Sequence, residues 1–199
     1  MNVANVIEYI ATDDNRQVIP WVRLTDRQGN VREYVAEGVT AEELARGERR
    51  TMDCVDCHNR PSHPFDPTAD KAVNRALAMG IIPKSAPFIK REAVAALTAA
   101  YRTPQEADDQ IAQRLREFYR TNYSDFYMGR RQDVERAVAG TQQLYKRNVF
   151  PGMNVTWGTY PNNIGHMDFP GCFRCHDENH KSKDGKTIGQ DCSFCHNIQ

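Results

Sequence analysis

All six cysteines of this chain fall in three copies of one five-residue pattern, and that pattern limits what the chain can build. The copies are Cys54-Val55-Asp56-Cys57-His58, Cys172-Phe173-Arg174-Cys175-His176 and Cys192-Ser193-Phe194-Cys195-His196. Two thiols three positions apart, with an imidazole directly after the second, form the signature of covalent haem attachment. The spacing follows from the chemistry. Two sulfurs make thioethers with the two vinyl groups of a porphyrin, and the next residue has to bring a ring nitrogen beneath the iron. Cys54, Cys57, Cys172, Cys175, Cys192 and Cys195 are therefore expected to tether three haems c, with His58, His176 and His196 as proximal iron ligands.

Rival uses of the same residues fit less well. Cys172/Cys175 and Cys192/Cys195 flank a sixteen-residue gap, which also suits a four-cysteine zinc ribbon. Zinc, however, needs no histidine after each second cysteine, and the first motif would lack a partner pair. With six histidines in 199 residues, three such placements arise by chance with odds on the order of 10⁻⁵. A dithiol redox motif would sit in a βαβ context, which the sequence does not offer. Disulfides within the motifs would close loops too short to stabilise much.

The remaining histidines are His63, His166 and His180, as many as the proximal ones. Each iron has two axial positions, so the count matches three bis-histidine haems. Met52, Met128, Met153 and Met167 are the competing sixth ligands, although methionine more often fills a core. His63 follows His58 by five residues, which span at most ~18 Å, with Pro61 between them. Wrapping a porphyrin edge in that length is difficult, which assigns His63 to a neighbouring haem. The same reasoning applies to His180, four residues after His176.

Length and composition agree with a cofactor-built interior. A chain of 199 residues suits one domain, or one with a small appendage. Mean hydropathy is −0.70 and aromatics are 9%, so three porphyrins are expected to supply apolar packing area. Basic and acidic residues balance at 26 each, which leaves no electrostatic footprint for nucleic acid or an anionic membrane. No stretch approaches the ~20 apolar residues that span a bilayer. Residues 1–20 lack a basic n-region, an apolar h-region and a small-residue cleavage site. Because covalent haem attachment normally takes place outside the cytoplasm, the expectation is a mature or trimmed piece of a longer exported product. Its expected location is periplasmic or otherwise extracytoplasmic.

The pattern along the chain predicts four segments. Residues 1–50 are expected to hold a β-hairpin, from the alternation over 18–24 and 31–35 around a turn at Gly29, then a short helix opened by a Thr40/Glu43 capping box and running through about Arg50. Residues 51–69 carry the first motif, with Pro61, Pro64 and Pro67 opposing regular structure. Residues 70–148 read as a helical spacer, with helices near 70–78, 90–101, 104–119 and 131–147. Gly80 is the expected cap after the first of these. Ile111, Leu115, Phe118, Val134, Val138, Leu144 and Tyr145 are the candidate core. Residues 149–199 return to loop chemistry and carry the other two motifs as a closely spaced pair. The expected fold is mainly α, with long irregular haem-wrapping segments and a small N-terminal β-hairpin.

Three stretches also resemble a known family. They are Met52-Asp53-Cys54-Val55-Asp56-Cys57-His58-Asn59-Arg60-Pro61-Ser62-His63, the run from Gly165-His166 to Gly171-Cys172-Phe173-Arg174-Cys175-His176, and Asp184-Gly185-Lys186 leading to Asp191-Cys192. Together they look like the C-terminal portion of large multihaem cytochromes of the NapC/NirT type, a likeness that runs from about Asn2 to His196. In that family a membrane-anchored N-terminal part with further haems precedes this region. The resemblance implies electron relay from quinol toward periplasmic or outer-membrane acceptors, with other cytochromes or a membrane quinol-oxidising part as partners. The expected role is therefore an electron carrier in a respiratory chain, not an enzyme. The alternative is a multihaem reductase with one open coordination site, which the histidine count disfavours.

Overall fold

The computed structural model describes residues 5–59, 62–194 and 196–197. The chain separates into two compact units, one drawn from 1–62 and 161–199 and the other from 63–160.

The first unit is built on an antiparallel sheet. Its strands are β1 (Val6–Ala11), β2 (Trp21–Thr25), β3 (Val31–Ala36), β4 (Glu48–Thr51) and β5 (His180–Ser182), in the order β4-β1-β2-β3-β5. The predicted hairpin is the β2–β3 pair, in register from Trp21 opposite Val35 to Thr25 opposite Val31. Its turn closes where Asp26 accepts from the backbone N–H groups of Gln28 and Asn30 at 2.9 and 2.8 Å, and Gly29 takes a φ of +82°. The hairpin is not isolated, which corrects the expected small N-terminal feature. β1 and β4 extend it on one side, and β5 joins on the other by pairing Ala36 with His180.

The Thr40/Glu43 capping box forms as expected, with Glu43 N–H donating to Thr40 Oγ1 at 3.2 Å and Thr40 N–H donating to Glu43 Oε2 at 2.8 Å. The helix it opens, α1 (Ala41–Arg46), stops earlier than predicted. Gly47 lies against the Ile10 side chain and the Ala11 carbonyl, where any Cβ would collide, so the chain leaves the helix there and continues as β4 beside β1. A small core of Tyr9, Ala11, Ile19 and Val22 forms in this unit, with Met52, Cys175 and Ile188 among the side chains packed on it.

The second unit is helical and contains α3 (Ala69–Ala78), α4 (Ile89–Leu97), α5 (Pro104–Asn122), α6 (Ser124–Gly129) and α7 (Arg131–Asn148). The one-turn α2 (Cys54–His58) precedes them in the first unit, a piece of regular structure that the neighbouring prolines had argued against. Thr68 and Thr103 cap α3 and α5 by accepting from Lys71 and Glu106 N–H, and Pro104 occupies the first turn of α5, where its missing donor costs nothing. α4 ends at Leu97 rather than near 101, and α6 was not foreseen. Ile111, Leu115, Val134, Val138, Leu144 and Tyr145 are buried as predicted, while Phe118 is half-buried at the edge. Alanines at 69, 72, 76, 86, 93, 96, 107, 112 and 137 share the same cluster with Val73, Ile82, Ile89, Leu97, Tyr101 and Tyr119. This unit packs on itself, with none of the three cysteine motifs in it. Among the described residues, no helix is long and apolar enough to cross a membrane.

Candidate functional site

The first motif is held by its own capping box. Asp53 accepts from Val55 N–H at 2.7 Å, and Asp56 accepts from Asp53 N–H at 2.9 Å. One helical turn then sets Cys54 and Cys57 on neighbouring positions of one face, with His58 following. Asp56 is buried and its other carboxylate oxygen accepts from Tyr9 O–H at 2.8 Å, which ties the turn to β1. Cys57 lies 3.9 Å from the Met52 sulfur, and burial pushes its thiol up from the ordinary value.

The second motif sits on a 3₁₀ turn, Gly171–Arg174, with His176 N–H donating to Cys172 O at 3.0 Å. Gly171 has a φ of +55° and rests directly on the Gly165 carbonyl, so a side chain at 171 has no room. The His176 ring donates from Nδ1 to the Gly189 carbonyl at 3.0 Å, which leaves Nε2 as the free lone pair. A backbone carbonyl on the far nitrogen is the usual way a metal-binding imidazole is oriented. Burial pushes the Cys175 thiol up to about 12.

These two motifs share one groove of about 270 Å³. Ile7, Ile19, Met52 and Phe173 supply apolar wall, and Cys57, His58, Cys172, Cys175 and His176 open onto it. The sequence pairs the second motif with the third; the structure brings the first and second together, because β5 joins the sheet beside β3 and Cys175 packs on the cluster of Tyr9 and Ile19. The third motif follows on a 3₁₀ turn at Cys192–Phe194, where Asp191 accepts from Ser193 N–H at 2.8 Å. Cys192 and His196 are exposed, and Cys195 lies outside the described residues.

The other three histidines differ in surroundings. His166 stacks on Phe173, ring centres 4.4 Å apart, and its ring centre stands 6.3 Å from that of His196. His63 belongs to the helical unit, where Nε2 donates to the Arg147 carbonyl at 2.7 Å and Phe65 and Phe150 flank the ring. His180 is buried with both nitrogens engaged, Nδ1 against the Asp177 carboxylate at 2.8 Å and Nε2 donating to the Ile19 carbonyl at 2.7 Å. Ile19 is itself a wall of the shared groove. Of the methionines, Met52 lines the groove, whereas Met128, Met153 and Met167 are exposed.

The donor set suits a tethered haem. Thiols come in pairs, an imidazole with one nitrogen anchored follows the second motif, and apolar walls face them. Among the described residues, no three of His, Cys, Asp and Glu converge as a closed metal site. Sequence reasoning missed Asp56 and Arg174, the residues inside the motifs that connect them. Their partners are remote in the chain, and the only signal was a charged residue between two cysteines.

No family model matches the chain, and no solved structure matches it. It is 40% identical over 199 residues to the cytochrome c-type protein ImcH of Geobacter sulfurreducens, an alignment covering 99% of this chain. The chain spans 39% of the length of that relative. Over almost its entire length, then, this chain is related to part of a c-type cytochrome protein.

Proposed function

We propose that the chain is an electron-transfer module carrying three covalent haems c. The observation that carries this reading is the groove on which Cys57, His58, Cys172, Cys175 and His176 converge between apolar walls. Likeness to a protein named as c-type cytochrome supports the same cofactor. Haem supplies the one-electron chemistry. The chain's part is to fix spacing, axial ligands and local dielectric.

In this reading Cys54 and Cys57, Cys172 and Cys175, and Cys192 and Cys195 form the thioethers. His58, His176 and His196 are proximal ligands, and His63, His166 and His180 complete bis-histidine coordination. The placement of His166 supports pairing it with His196. Two imidazoles across one iron, each nitrogen about 2 Å from the metal, put their ring centres roughly 6 Å apart, and the observed separation is 6.3 Å. The Asp177 carboxylate against His180 Nδ1 is the kind of contact that orients a ligating ring, so iron would take the place of the Ile19 carbonyl.

The setting we propose is extracytoplasmic, in a periplasmic respiratory chain. Redox partner proteins would be other cytochromes or a quinol-oxidising membrane part, as the NapC/NirT resemblance implies. Denaturing mass spectrometry of the purified protein tests the core of this reading. Three haem increments on the polypeptide are expected, and none, with zinc bound, would overturn it. The reductase alternative makes a different demand, because an open ferrous haem takes up carbon monoxide at once while bis-histidine haems largely do not.

A further inference from the structure

We propose that Arg174 is a positioning residue that joins the first and second haem-attachment motifs and gives their two haems a shared positive charge. The inference rests on haem attachment at these motifs and goes beyond it. Arg174 is 6% exposed, unusual for a side chain that is rarely buried unless its donors are met. Here they are met by backbone. Nε donates to the Gly171 carbonyl at 2.8 Å, Nη1 to the Arg16 carbonyl at 2.8 Å, and Nη2 to the Asp56 carbonyl. With its amide oxygen turned inward, the buried Asn163 accepts from both terminal nitrogens at 3.3 Å.

Asp56 and Arg174 each immediately precede the second cysteine of their motif. The guanidinium therefore fastens the backbone of one attachment turn to the other. Its planar fork suits several carbonyls at fixed angles, which an ammonium on a flexible stem does not. The described hydrogen bonds all go to uncharged oxygens, so the cation is held by geometry and not by a carboxylate partner. Arg174 also lines the groove onto which Cys57, Cys172 and Cys175 open, so one cation faces both attachment turns. Reduction of ferric iron removes one positive charge from a haem. A fixed cation nearby favours the reduced form and raises the potential.

The test follows each haem separately. NMR-monitored redox titration assigns the haems through thioether contacts to Cys57, Cys175 and Cys192, after mass spectrometry has confirmed three haems on the polypeptide. In Arg174→Met, the potentials of the haems on the first two motifs are expected to fall together while the third stays put. Arg174→Lys keeps the charge and loses the fork. It should restore both potentials most of the way while weakening nuclear Overhauser contacts between the first two haems. A shift confined to one haem, an equal shift in all three, or no shift would overturn the proposal. Should Arg174→Met fail to load or fold, the lysine variant and the unmodified protein decide. Inter-haem contacts between the first and second haems are expected there, and their absence would overturn the joint. Absence of haem from the unmodified protein would instead overturn the underlying reading.

Discussion

The Gly189 carbonyl at 3.0 Å from His176 Nδ1 fixes which nitrogen of that ring is free, and the other histidines can be compared by the same standard. His166 has an aromatic neighbour on its face and His196 at its edge, an environment that positions a ring without occupying it. Replacing His166 by methionine should raise the potential of the haem on Cys192 alone, because thioether donates less strongly than imidazole to ferric iron. Redox titration with a near-infrared spectrum checks this, and an unchanged third potential would remove His166 from the ligand set. His180 carries a heavier structural role. Where the ring sits on the Ile19 carbonyl and not on iron, His180→Ala would leave that buried carbonyl without its donor, at a cost of about 1–3 kcal/mol. Chemical denaturation measures that cost, and a new high-spin ferric signal in the same variant would show instead that His180 held an iron. The cysteines and proximal histidines were legible in the sequence because covalent attachment sets their distance along the chain. Asp56 and Arg174 were not, because they meet across 118 positions and nothing local marks the partner.

Among the elements, the longer helices were legible for the same local reason, since apolar spacing along α5 and α7 is written within a few residues, whereas α2 and α6 were not. The sheet was only half legible. A hairpin announces itself by alternation and a turn, but β5 has three residues and pairs with a strand 144 positions earlier. The early stop of α1 was hidden too, since it depends on what Gly47 touches. Gly140, in the middle of α7, poses a sharper test of packing over propensity. Alanine is favoured there by about 1 kcal/mol on intrinsic grounds. Yet its Cβ would stand 2.8 Å from Ile82, a fully buried side chain, and 3.2 Å from the Ile81 carbonyl. Overpacking of that kind costs about 1–3 kcal/mol, so Gly140→Ala should lower stability by roughly 1 kcal/mol, read from the denaturation midpoint. Tyr119 gives α5 a pH signature. It is fully buried, its O–H donates to the Pro87 carbonyl at 2.9 Å, and burial holds its phenol well above the ordinary value of 10.0. The folded state thus disfavours the phenolate more than the unfolded state does. Stability from this group is complete below pH 10 and is lost as pH rises beyond it, which alkaline unfolding of the helical unit should report.

At the scale of the whole chain, the two units differ in what they have to pack. The helical unit buries twenty-one apolar or aromatic residues in one described cluster, from Ala69 to Tyr145. The sheet unit has a described cluster of four, and three of its neighbours are Met52, Cys175 and Ile188. Polarity averaged over the sequence suggested that three porphyrins would supply apolar packing area, and the helical unit also supplies a core of its own. Without haem, the cluster around Tyr9 is too small to offset the entropy of ordering five strands and three motif turns. Haem-free protein, made where attachment does not occur, should therefore keep its helices and lose its sheet. Hydrogen exchange would find slow amides in 63–160 and fast ones in β1 to β5, and a fragment of 63–160 alone should give a helical spectrum and a cooperative melt. Holoprotein should protect the strands as well, because each tethered porphyrin adds apolar surface for Ile7, Ile19 and Phe173 to cover. Equal protection of both units in the haem-free chain would show that the sheet folds on its own, and that haem is cargo there and not core.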